Sequence, residues 1–134
     1  MLKKVEIDFV HLSCWDIYAR SIEFSENPKT ITEWFASTIG NLPPIIITGN
    51  IWSSKDASNC MDQGSDFIGV ARAAIPYPDW PKNIENTDYH PSRGPFTIKQ
   101  LEKARLSEPF IKYMRKWNGF CLLYTSPSPR DGLL

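Results

Sequence analysis

Two short stretches of the chain carry residue types that suit a negatively charged ligand. Gly49-Asn50 closes the apolar run of PIIITGN, and Ala71-Arg72 follows the apolar residues of DFIGVARAAI. A glycine at the end of a buried strand permits close backbone approach, and a helix beginning near Ser53 would offer N–H groups to an anion. An arginine at the end of the next strand can grip a phosphate through a two-pronged fork. Each residue also has a plainer reading, a simple chain turn for Gly49 and a rim salt bridge for Arg72. Together they describe one phosphate held between two consecutive strand ends. Other chemistry-bearing residues are weaker candidates. His11 lies alone in an apolar strand, where a satisfied interior role is the commoner one. Trp15 and Asp16 follow that strand and suit either a pocket wall or a plain loop. Cys14 has no base next to it in sequence and is not put forward as a nucleophile.

Five elements are needed to position these residues. EIDFVHLS (6–13) is short, apolar and β-branched, as a buried strand is, with Phe9, His11 and Ser13 on one face and Val10 and Leu12 on the other. TITEWFASTIG (30–40) opens on a Thr30-x-x-Glu33 capping box, spaces Ile31, Trp34, Phe35 and Ile39 helically, and stops at Gly40. PPIIITGN (43–50) reads as a strand covered on both faces. SSKDASNCMDQG (53–64) puts Ala57, Cys60, Met61 and Gly64 on one helical stripe, and DFIGVARAAI (66–75) is a third strand. Strand, helix, strand, helix, strand with short connections favours parallel pairing. A Pro-rich stretch, IPYPDWPKNIENTDYHPSRGPF, reads as irregular. It is followed by TIKQLEKARL, with a Thr97-x-x-Gln100 capping box, and by SEPFIKYMRKW, with Phe110, Met114 and Trp117 on one stripe.

Composition narrows the function classes. The 134 residues suit one domain, and 42% hydrophobic content is ordinary for a globular protein. Fifteen basic and 15 acidic residues cancel, so no charge excess points to nucleic acid or to an anionic membrane. There is no apolar run of roughly 18 residues, and MLKKVEIDFVHLS lacks the features of a signal peptide. Three scattered cysteines (Cys14, Cys60, Cys121) lack CxxC spacing and argue against a disulfide framework or a zinc site. The expectation is a reduced cytoplasmic protein with a small-molecule substrate, no nucleic-acid or membrane partner, and a homo-oligomer left open.

In (β/α)8 barrels the loops after the last two strands build a phosphate site with the N-terminus of a following short helix, and Gly49 and Arg72 fit that layout. Three parallel strands leave outer edges unpaired, and MLKKVE reads like the last turn of a helix, so the chain is expected to be a piece of something larger. Residues 121–134, CLLYTSPSPRDGLL, have no helical or strand period and resemble the translation of a sequencing adaptor. They are set apart as a non-native tail.

DFVHLSCWD, PIIITGNI, GSDFIGVARAAIPYPDWPKNI and LSEPFIKYMRKW resemble the C-terminal part of NADH:flavin oxidoreductases of the Old Yellow Enzyme family, from about residue 5 to residue 120. The run from Asp66 to Pro81 is the most specific. The resemblance implies an α/β fold, namely the C-terminal part of a (β/α)8 TIM barrel, an incomplete barrel with strands six to eight and the C-terminal helices in residues 1–120. It implies FMN as cofactor, NAD(P)H as electron donor and an enoate or related electron-poor acceptor. It also implies that Gly49, Asn50, Ala71 and Arg72 hold the FMN phosphate, with Ala71 standing where the family usually has glycine. The family's catalytic residues come mainly from earlier strands, so none is assigned here. Two alternatives remain: another phosphate-binding barrel enzyme, and a cofactor-free βα interaction module.

Overall fold

The computed structural model describes residues 6–20, 26, 28–38, 42–117 and 120. Three strands, β1 (Val10–Ser13), β2 (Ile45–Thr48) and β3 (Phe67–Gly69), form one parallel sheet in the order β1-β2-β3. Helix α1 (Ile31–Thr38) separates β1 from β2 in the chain, and α2 (Ser54–Asp62) separates β2 from β3. Three further helices follow: α3 (Trp80–Asn83), α4 (Ile98–Lys103) and α5 (Glu108–Met114). The expected alternation is present, and each helical crossover returns the chain to the same edge of the sheet, which makes the pairing parallel.

The barrel expectation is overturned. A barrel closes only when every strand pairs on both sides. Among the described residues β2 alone does so, while β1 and β3 each pair only with β2. The described residues form an open α/β sheet with five helices rather than the C-terminal part of a (β/α)8 barrel. The tail from residue 121, Cys121 included, lies outside the described residues, as do Ile39, Gly40 and the first five residues.

Strand alternation sorts the sheet into two unequal faces. Leu12, Ile45 and Ile47 are buried on one face, with Ile47 fully so. Phe9, His11 and Phe67 are exposed on the other, and Ile46 and Thr48 are half-buried, so β2 is not covered equally on both sides as its apolar run suggested. β3 is also shorter than the run 66–75. After Gly69 the chain turns, with Ala74 N–H donating to Ala71 O at 3.1 Å and Tyr77 N–H to Ala73 O at 3.2 Å. Asp66 pins the start of β3: Ile45 N–H donates to its Oδ2 at 2.8 Å, and Asp66 N–H donates to Ile45 O at 2.9 Å.

Local capping sets where the helices begin. In α1, Thr30 N–H donates to Glu33 Oε2 at 2.7 Å and Glu33 N–H to Thr30 Oγ1 at 3.2 Å, the reciprocal pair expected from the sequence. Its buried residue, however, is Thr32, while Ile31 is 47% exposed. The Thr97–Gln100 box opens α4 in the same way. On α2, Ala57 and Cys60 are buried but Met61 is half-exposed. On α5, Ile111 and Met114 are buried, whereas Phe110 and, just past the helix, Trp117 are 36% and 52% exposed, so the expected stripe divides.

The Pro-rich stretch contains one short helix, α3, with Pro81 in its first turn. That stretch is anchored at Trp80, which is buried and donates from Nε1 to Trp52 O at 2.7 Å. Phe96 is 1% exposed and sits between Trp52 and Phe120, at 6.4 and 5.0 Å between ring centres. Burying one such ring stabilises by roughly 1.5–3 kcal/mol. The core thus runs from the Ile47 face of the sheet through α2 and the Trp52–Phe96 stack to Leu101 and Ile111.

Candidate functional site

Parallel strands bring all their C-terminal ends to one edge of the sheet, where ligands of α/β proteins commonly sit. Here those ends open into a single cavity of about 930 Å³. Its walls include Cys14 and Trp15 after β1, Gly49 to Trp52 after β2, and Gly69 to Arg72 after β3. All four residues expected to meet a phosphate therefore face one cavity.

Their individual roles differ from the expectation. Gly49 is buried, and a Cβ there would lie 2.8 Å from Cys14 O. Its missing side chain lets the exit of β1 approach β2, a close approach confirmed by Cys14 N–H donating to Thr48 O at 2.7 Å and Ile17 N–H to Gly49 O at 3.2 Å. Asn50 has φ of 54°, a left-handed conformation that asparagine tolerates better than most residues. Its Oδ1 accepts from Trp52 Nε1 at 3.1 Å and from Arg72 Nη2 at 3.3 Å. Arg72 is exposed, and among the described residues it meets no carboxylate within ion-pair distance. Ala71 is not among the described residues with left-handed φ, so its methyl group brings no backbone strain.

The N-terminus of α2 is not open to a ligand as expected. Trp52 and Ser53 N–H groups both donate to Asp56 Oδ2, at 3.0 and 2.9 Å, and Asp56 N–H donates to Ser53 Oγ at 3.1 Å. Ser54 N–H donates to Tyr89 O at 3.0 Å. The helix caps itself, so the groups that would greet an anion are already used.

That cap introduces residues that the sequence reasoning missed. Asp56, with its side chain only 7% exposed, also accepts from Tyr18 Oη at 2.8 Å and pairs with Arg93 Nη2 at 3.4 Å. Burial opposes its charge. Hydrogen bonds from the Ser53 backbone, Tyr18 and the Trp52 backbone outweigh that cost and hold the carboxyl below its ordinary range. Ser53-x-x-Asp56 carries a readable capping signal, but Arg93, in irregular HPSRGPF, carries none. Part of the cavity wall is aromatic. Phe110 and Tyr113 of α5 and Trp117 just past its end follow one another, with ring centres 6.2 Å apart at each step.

The remaining candidates divide between the cavity and the rest of the surface. His11 Nε2 is 2.8 Å from Thr48 Oγ1 on the exposed face of the sheet and does not line the cavity. Trp15 is 95% exposed at the cavity rim. Asp16 Oδ1 accepts from Tyr18 N–H in a local turn. Cys14 lines the cavity, and burial pushes its thiol up. Burial, with Asp56 nearby, pushes the Cys60 thiol up to about 12. Among the described residues no cluster of His, Cys, Asp and Glu converges as a metal site, and no helix is long and apolar enough to cross a membrane.

No protein-family model matches the chain. The chain is 30% identical over 82 residues to the NADH:fumarate oxidoreductase of Klebsiella pneumoniae (strain 342). That alignment covers 58% of this chain and 9% of the other protein, so the chain spans about a tenth of the length of the curated relative it matches. The likeness relates the chain to oxidoreductases in general.

Proposed function

We propose that the cavity binds FMN by its phosphate and that the chain is part of an oxidoreductase of the Old Yellow Enzyme kind. The donor would be NAD(P)H and the acceptor an electron-poor small molecule such as an enoate. The observation that carries this reading is Arg72: an exposed guanidinium without a carboxylate partner among the described residues, sharing one cavity with an exposed aromatic wall. A ligand with a phosphate at one end and a flat ring system at the other matches both features. About 930 Å³ is within the usual range for cofactor and ligand pockets. The likeness to an oxidoreductase supports the same direction.

The residues present fit such a group. Arg72, steadied by Asn50, would meet the phosphate, while Phe110, Tyr113 and Trp117 offer stacking surface to the ring. FMN, when bound, supplies the capacity to take up and pass on hydride. The chain's own contribution is charge, orientation and a wall that excludes water. The test is a binding titration of the protein with FMN and with riboflavin, which has the ring but no phosphate. FMN should bind at least tenfold more tightly, since a charged hydrogen bond contributes about 1.5–3 kcal/mol. Equal affinities would overturn the flavin reading, since the phosphate of FMN would then contribute nothing in this cavity.

A further inference from the structure

We infer that Arg93 is a second anion-holding side chain of this cavity, and that the cavity selects a phosphomonoester dianion over a singly charged anion. The inference rests on the phosphate reading above. Arg93 comes from the irregular stretch between α3 and α4, yet it lines the same cavity as Arg72. Two contacts hold its guanidinium in place. Nη2 is 3.4 Å from Asp56 Oδ2, and the guanidinium carbon lies 6.0 Å from the centre of the Trp52 ring. Trp52 is itself buried, and its Nε1 donates to the same Asn50 Oδ1 that receives Arg72 Nη2. One connected unit of Asp56, Trp52 and Asn50 therefore carries both guanidinium groups.

Asp56 does not use up Arg93. Its Oδ2 already accepts from two backbone N–H groups at 3.0 and 2.9 Å, closer than the arginine at 3.4 Å, and its Oδ1 receives Tyr18. A guanidinium has several N–H donors, so one long contact leaves most of them for a ligand, and the Arg93 side chain remains 45% exposed. Two lining arginines against one carboxylate leave the cavity positive. The cavity-lining residues of α5, Phe110, Tyr113 and Met114, and Trp117 just past its end carry no charge. A singly charged anion is satisfied by Arg72 alone. A phosphomonoester, whose second ionisation falls near pH 6, gains from both cations once it is a dianion.

The test compares phenyl phosphate with phenyl sulfate, a monoanion of similar shape, at about pH 7.5, with binding to the full chain read by tryptophan fluorescence. FMN and riboflavin are titrated in parallel. The unaltered protein should prefer phenyl phosphate. Arg93→Gln should weaken phenyl phosphate about 10-fold, with a smaller effect on phenyl sulfate, so that the preference collapses. Arg93→Lys keeps the charge without the fork and should lose about 3-fold, which decides the matter even if the glutamine variant does not fold. A purely structural Arg93 would lower the melting temperature and leave both affinities unchanged. That result overturns the inference, as does absence of phenyl phosphate binding to the unaltered protein. If Arg72→Gln weakens FMN and Arg93→Gln does not, the phosphate reading stands and this one falls. If FMN binds no better than riboflavin while phenyl phosphate depends on Arg93, the flavin reading falls and this one stands.

Discussion

At the scale of single residues, Arg72 and Asp56 differ in what their surroundings ask of them. Arg72 is exposed and tethered by one neutral contact to Asn50, so its removal should cost ligand rather than fold. Arg72→Ala is expected to weaken FMN by about 10- to 100-fold with little change in melting temperature, and Arg72→Lys to recover part of that, as measured by flavin fluorescence. Asp56 is buried and accepts from four groups, so Asp56→Asn should cost about 2–3 kcal/mol at pH 7 by urea unfolding. The direction with pH follows from its lowered pKa. The stability it contributes is fully present above the ordinary aspartate value near pH 4. It is lost as pH falls through the still lower folded-state value. The asparagine variant should therefore show a flatter decline in stability below about pH 4 than the unaltered protein. Gly49→Ala would bring a methyl group 2.8 Å from a backbone oxygen that cannot move aside cheaply. A loss of about 1–3 kcal/mol is expected by the same measurement.

At the scale of elements, helix starts were readable and strand lengths were not. Capping is local, so Thr30–Glu33 and Thr97–Gln100 announced α1 and α4 within four residues of sequence. The same grammar in Ser53–Asp56 closes the helix end that was expected to receive an anion. Ser53→Ala should destabilise by about 1 kcal/mol, the usual cost of a lost cap, and should leave FMN affinity unchanged because that helix end already satisfies itself. A gain or loss of affinity in that variant would show that the α2 terminus takes part in binding after all. The apolar run 66–75 gave no sign that β3 ends at Gly69, because an apolar pattern records burial and not the point where a chain turns. The stripe on α5 divided for a related reason: Phe110 and Trp117 are apolar but line a cavity, and sequence does not distinguish a core from a ligand wall.

At the scale of the whole molecule, the convergence of Gly49, Asn50, Ala71 and Arg72 was legible because parallel topology alone gathers strand ends at one edge. Whether the sheet belongs to a barrel was not. Local patterns specify strands, whereas pairing depends on what lies beside each edge, so a barrel and an open sheet give the same reading. The pairing of Asp56 with Arg93 was hidden for another reason: 37 residues separate them, and Arg93 sits in no pattern that would flag a partner.

The same parallel pairing has a consequence for the order in which the molecule assembles. The link from β2 to β3 closes a short loop, 21 residues at the Ile45–Asp66 hydrogen bond, whereas β1 reaches β2 only across 37, at His11–Thr48. Loop-closure entropy alone favours the shorter link by about 0.5 kcal/mol. The capped helix α2 and the Asp66 clamp lie within that shorter segment. The β2–α2–β3 unit is therefore the natural nucleus, onto which β1 docks late. Shaving Ile47 to Val should slow folding, while Leu12→Val should mainly speed unfolding, a contrast that stopped-flow kinetics would reveal. Because every strand end that forms the cavity is in place only after that last docking step, ligand competence should be the final property the chain acquires.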